Sequence, residues 1–216
     1  MLNCATDNEA RIVGFVDSYL TYSHEVHTER FYRFSVRAQR LSSNEDVIVV
    51  TVSDRMLTQI KIEPGKKLMI TGQFRSYNNY TDNGIKLILT LFAKELEEAD
   101  EDEELDNEVY LNGFICKPVV YRVTPFGREI ADILLAVNRA YNKSDYIPCI
   151  AWGRNARFAK NLVIGQNVRL WGRMQSREYQ KKLSEDETVT KTAYEVSVSK
   201  LDAERPEENA DGAAEE

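Results

Sequence analysis

Two hundred and sixteen residues suffice for one large domain or two of about 100 residues each. At 43% hydrophobic and 29% charged, with no run near the ~18 apolar residues of a membrane span and no basic-then-apolar opening in MLNCATDNEA, a disordered, membrane or secreted class is not expected. The net charge of −7 is unevenly held: 1–94 carry +2, the run 95–106 (ELEEADEDEELD) −9, 107–201 +6 and 202–216 −6, so the total does not argue against a polyanionic partner.

In chain order, alternation of apolar and polar residues predicts strands near 10–22, 29–41, 46–53, 67–77 and 85–96. Arg55–Ile62 stands in the place of a short helix. An acidic linker over 97–106 follows, which self-repulsion should keep extended. The second half predicts strands near 108–117, 128–141, 145–152, 167–179 and 189–201, with a short helix near 154–163. Thr124-Pro125-Phe126-Gly127 reads as a turn, and Gly165 ends the helix as a C-cap would.

The halves repeat. Val13-Gly14-Phe15-Val16 matches Asn112-Gly113-Phe114-Ile115 at an offset of 99, and Gly65, Gly72 and Ser76 match Gly165, Gly172 and Ser176 at 100. Five strands with a helix after the third is the layout of a Greek-key barrel of the OB type. The expected architecture is therefore all-β: two tandem OB-fold barrels, each with a short helix between strands 3 and 4. Residues 1–96 make the first domain and 107–201 the second, followed by an acidic disordered tail over 202–216.

The second domain interleaves rings with cations. Tyr141, Tyr146, Trp152 and Tyr179 lie at or near strand ends, among Arg139, Lys143, Arg154, Arg173 and Arg177. Single-stranded nucleic acid needs this pairing, because every base has a π-face and every linkage a charge. Tyr146 and Trp152 are six apart, so a regular strand points both to one face. The competing reading buries some rings in the core, Trp171 more readily than Trp152, and leaves the bases as a solvated surface.

These residues carry a resemblance. Asn107–Gly113, Arg122-Val-Thr124-Pro125-Phe-Gly127, Ala131–Tyr141, Tyr146–Ala156 and Gly172–Tyr179 closely resemble, in order, the bacterial single-stranded DNA-binding protein family. The resemblance implies base stacking at Tyr141, Tyr146, Trp152 and Tyr179, and a place in replication, recombination or repair with the nucleoid in the cytoplasm. It also implies four barrels per assembly, which a two-barrel chain would reach as a homodimer. The family's acidic tail closes with an apolar tip that docks replication and repair enzymes. Arg205-Pro-Glu-Glu-Asn-Ala-Asp-Gly-Ala-Ala-Glu-Glu216 has none, so the tail is expected to compete with DNA for the groove rather than recruit partners.

The first domain departs from the pattern. Opposite Tyr141, Tyr146 and Trp152 it has Leu41 or Ser42, Asp46 or Val47, and Val52 or Ser53; Tyr80 stands opposite Tyr179, with Tyr77 nearby. With Arg75 among its possible phosphate contacts, it reads as an auxiliary binder or an assembly partner. A second functional class follows from that departure: an interaction module of the replisome or primosome with weak DNA binding. Enzyme chemistry has no support in a chain without a P-loop, G-x-S-x-G or paired acids. His24 and His27 read as a surface pair in a loop, and Cys4, Cys116 and Cys149 hold no C-x-x-C, so no metal or cofactor is expected.

Overall fold

The computed structural model describes residues 2, 6–40, 44–58, 60–81, 84–182 and 188–204. The expected tail beyond Glu204, Leu41 and Ser42, Cys4 and residues 183–187 lie outside them.

Among the described residues, ten of the twelve strands build two closed rings. The first ring holds β1 (Asn8–Val16), β3 (Glu29–Gln39), β4 (Glu45–Ser53), β5 (Lys67–Thr81) and β6 (Gly84–Glu98); β2 (Thr21–Val26) hangs on β3. The second repeats this with β7 (Asp106–Ile115), β9 (Glu129–Arg139), β10 (Lys143–Trp152), β11 (Asn167–Lys182) and β12 (Thr188–Ala203), and β8 (Val120–Val123) hangs on β9. Each ring closes because its first strand pairs on both sides, β1 with β5 and β3, and β7 with β11 and β9. Alternate residues such as Ile147, Cys149 and Ala151 fill the barrel interior, the period of two that a pleated strand imposes. Closure brings backbones together at glycine: a Cβ on Gly14 would sit 2.5 Å from the Arg37 carbonyl oxygen, and one on Gly113 2.5 Å from that of Ala136. The all-β two-barrel expectation holds.

Three local expectations change. The strand expected over 10–22 breaks after Val16, where the Asp17 N–H donates to the Ser35 carbonyl and the Ser35 N–H to Ser18 Oγ. The added strands β2 and β8 are mostly exposed edge ribbons, so burial imposes little of the apolar alternation that would betray them in sequence. Helix α1 (Arg154–Ala159) is six residues long, tightening into i→i+3 bonds at Asn161 and Leu162, rather than running to 163. Among the described residues the first barrel has a 3-10 turn, Met56–Thr58, at that position.

The acidic run is not extended. It ends β6, turns and starts β7, folded onto cations distant in sequence. Lys67 Nζ donates to the carbonyls of Asp100 (2.8 Å) and Glu101 (3.0 Å), and Arg11 pairs with Glu103 (2.9 Å) and Asp106. Those contacts offset the self-repulsion. The turn lets β7 lie antiparallel against β1, from Asn8↔Leu111 to Val13↔Asp106, and this edge joins the barrels.

A pseudo-two-fold pair of polar contacts reinforces the joint. Asp46 accepts the Ser176 N–H (3.0 Å) and both Nε and Nη2 of Arg40 (2.8 and 2.6 Å), while the Val47 N–H donates to Ser176 Oγ (2.9 Å). In the mirrored contact Asp145 accepts the Ser76 N–H (3.0 Å) and faces Arg139 (3.3 Å), while the Tyr146 N–H donates to Ser76 Oγ (2.7 Å). Each barrel thus lays one hairpin, β3–β4 or β9–β10, across the long strand β11 or β5 of the other.

Candidate nucleic-acid interface

On β10 the exposed even-numbered positions share the outer face. Tyr146 pairs with Ala136 and is 49% exposed; Trp152 pairs with Ile130 and is 37% exposed. Trp152 lines a recess with Thr124, Arg128 and the exposed Phe126, which the Thr124–Gly127 turn projects. Arg154, exposed at the start of α1, follows directly. Among the described residues no carboxylate lies within ion-pair distance of Arg128, Lys143 or Arg154, so these charges are available to an outside anion.

The other expected bases are engaged. Arg173 faces Asp46 (3.5 Å) and Gln175 (2.9 Å), and Arg177 faces Glu195 (3.7 Å) with its guanidinium 6.0 Å from the Tyr179 ring centre. Glu195 shares the outer face, since parallel pairing sets Ser197 beside Ile150. Burial above all, with Asp132 adding repulsion, pushes its carboxyl above the ordinary range against the opposing pull of Arg177 and Gln175.

Tyr141 sits elsewhere. It and Asn142 form the tip of the β9–β10 hairpin with φ of 62° and 53°, and Tyr141 is 93% exposed. That tip leans over the first barrel, where Arg139, Tyr141 and Lys143 close one side of a cleft of about 630 Å³. The opposite wall is aromatic and cationic. His24 stacks on Phe31 (4.9 Å, 13°), Phe31 meets Phe92 at 5.7 Å, and Arg75 lies 3.9 Å over the Phe92 ring. Arg33 lies 5.2 Å from the Tyr77 ring centre. Tyr77 and Arg75 belong here, as does the β5–β6 hairpin that carries Tyr80, whose side chain is outside those described.

Sequence reasoning missed His24, Phe31, Arg33 and Phe92. His24 is not in a loop but on β2, and burial first, then the nearby Arg33 charge, lowers its pKa, so the ring is neutral at pH 7. Trp171 packs 5.1 Å from Tyr110, with Lys200 Nζ 4.2 Å over its ring.

Comparison with known proteins follows this geometry. Residues 106–203 match the model of the single-strand binding protein family. The chain is 34% identical over 114 residues to single-stranded DNA-binding protein 2 of Listeria innocua, covering 50% of this chain and 69% of the relative. It is 33% identical over 96 residues to single-stranded DNA-binding protein A of Bacillus subtilis, covering 41% and 56%. Against protein 1 of Streptococcus pyogenes it is 32% identical, covering 41% and 74%. The chain thus spans between about half and three quarters of the length of these curated relatives. The solved structure of wild-type single-stranded DNA-binding protein from Thermus aquaticus superposes with a TM-score of 0.72 at 16% identity, over 97% of this chain and 96% of that one. At that identity the likeness speaks for the fold, and it embraces both barrels.

Proposed function

The chain belongs to the single-strand binding protein family, and from that premise we propose that it binds single-stranded DNA without sequence preference. One observation carries the reading: Tyr146 and Trp152 share the exposed face of β10, flanked by the unpaired Arg128 and Arg154. Bases stack on the two rings, and the free cations take phosphates in exchange for counterions. Tyr179, over whose ring Arg177 lies, extends the platform along β11. Arg139 and Arg173, held by Asp145 and Asp46, position hairpins and take part in binding indirectly.

Two further parts of the reading rest on the family. A homodimer would gather four barrels around one strand. Action would lie in replication, recombination or repair, with the nucleoid in the cytoplasm and replication and repair proteins as partners. The test is tryptophan fluorescence during titration with an oligothymidine of about 35 nucleotides at several salt concentrations, with duplex as control. Quenching, with log K falling at about −0.7 per neutralised phosphate, is the expected result. Absence of quenching at low salt, or equal affinity for duplex, refutes it.

A further inference from the structure

Equivalent positions of the two barrels carry different side chains. The rung that pairs Ile130 with Trp152 in the second barrel pairs Phe31 with Ser53 in the first, so its ring sits on the neighbouring strand. Arg33 stands where the second barrel has Asp132. Thr90, opposite Arg75, stands where Glu195 lies opposite Gln175, and Phe92, opposite Gln73, where Ser197 lies opposite Arg173. Over these positions the first barrel carries two cations, Arg33 and Arg75, and no acid, where its sister mixes Arg173 with Asp132 and Glu195.

The two inter-barrel clefts differ in the same sense. Under the β9–β10 hairpin the lining includes Arg33, Arg75, Arg139 and Lys143 and, among the described residues, no carboxylate. Its pseudo-symmetric counterpart under the β3–β4 hairpin mixes Arg40 and Arg177 with Glu45 and Glu178. Arg139 is held by Asp145 behind it (3.3 Å), so Arg33, Arg75 and Lys143 are the charges that attract an anion, and the rings around them offer π-faces. Two polar atoms at this wall, Arg33 Nε and Tyr77 Oη, are buried with no hydrogen-bond partner among the described residues. Such groups are unfavourable when left unsatisfied, and a ligand or water that reaches them relieves that cost. A neutral His24 on Phe31 completes the wall without adding a further desolvated charge.

We propose that this cleft is a second nucleotide site, built jointly by both barrels, through which a bound single strand passes from the second barrel onto the first. A base lies against the His24–Phe31–Phe92 wall beneath Tyr141, and its phosphates face Arg33 and Lys143. The proposal rests on the single-strand-binding reading above, and its test separates the two.

The chain has two histidines, so the His24 ring resonances are readily assigned by NMR in the full-length protein. Titration with an oligothymidine of about 35 nucleotides shifts them as the strand fills the cleft. Arg33→Ala weakens binding of that oligomer about tenfold at low salt, the value of one charge-assisted contact, and reduces the salt slope by about 0.7. Quenching of Trp152 by an oligomer of about eight nucleotides stays as in wild type. His24 resonances unmoved at saturation, with Arg33→Ala as tight as wild type while Trp152 is still quenched, overturn the cleft and leave the single-strand-binding reading standing. No quenching and no shift in wild type overturns both. The His24 measurement uses the wild-type chain, so it holds whatever the substitution does to folding.

Discussion

Replacing Asp46 by alanine withdraws the acceptor around which one inter-barrel joint is assembled. The buried carboxylate takes the Ser176 N–H at 3.0 Å, a two-pronged Arg40 at 2.8 and 2.6 Å, and a looser Arg173 at 3.5 Å. Removing one partner of a buried pair costs about 3–5 kcal/mol, and a stranded backbone N–H about 1–3 kcal/mol. Arg40 and Arg173 keep partial access to water, which reclaims part of that, so the expected loss is about 4 kcal/mol. The mirrored residue gives an internal control. Asp145 has one arginine within ion-pair distance, at 3.3 Å, and burial raises its pKa despite the Ser76 N–H, Arg139 and Arg75. Asp145→Ala should therefore cost about 2 kcal/mol, mostly the lost Ser76 acceptor. Asp145→Asn retains an oxygen for that N–H and buries no charge, so it should stay within about 1 kcal/mol of wild type. Guanidinium unfolding followed by circular dichroism measures all three, with unchanged m-values confirming that the unfolded reference is common. An Asp46→Ala variant within about 1 kcal/mol of wild type, or one less damaging than Asp145→Ala, refutes the assignment of unequal loads to the two joints.

Tyr141 holds a left-handed backbone that costs an ordinary L-residue roughly 1–2 kcal/mol and asparagine less. Tyr141→Asn should therefore raise stability by about 0.5–1 kcal/mol in thermal melts while weakening oligothymidine binding about tenfold, the loss of one stacked base; an unchanged melt or tighter binding contradicts this. Glu195 supplies a pH dependence of stability. Its folded pKa lies above the ordinary 4.5, so the ionised carboxylate is a burial cost at neutral pH, and that cost disappears as pH falls through the raised value toward 4.5. Glu195→Gln should be more stable than wild type at pH 7.5, by less than ~1 kcal/mol because the site is partly open to solvent, with the gap closing in acid. Melting curves across that range decide it, and a less stable variant at pH 7.5 shows that Arg177 outweighs burial.

The legible parts were those governed by neighbours in sequence. Strand periodicity, the offset of about 100 residues and the shared face of Tyr146 and Trp152 follow from a pleat that repeats every two residues. The edge strands β2 and β8 were illegible because solvent bathes most of their side chains and leaves no alternation to read. The first barrel looked poor in rings for a related reason. Position-by-position comparison puts Ser53 opposite Trp152, whereas the ring sits across the rung at Phe31, a partnership that exists only after β3 and β4 have paired.

By itself the sequence determined two barrels, their interiors and one aromatic strand face, since each depends on local alternation and composition. The tertiary structure decided what those barrels do to one another. Edge pairing of β1 with β7 folds the acidic turn onto Arg11 and Lys67, residues far away in the chain. The same docking carries Tyr141 off its own barrel and over its sister's cleft, beside Arg33 and Arg75. Contacts between groups about 30 to 140 residues apart leave no periodic mark on the chain, because their geometry is set by closure of the sheet.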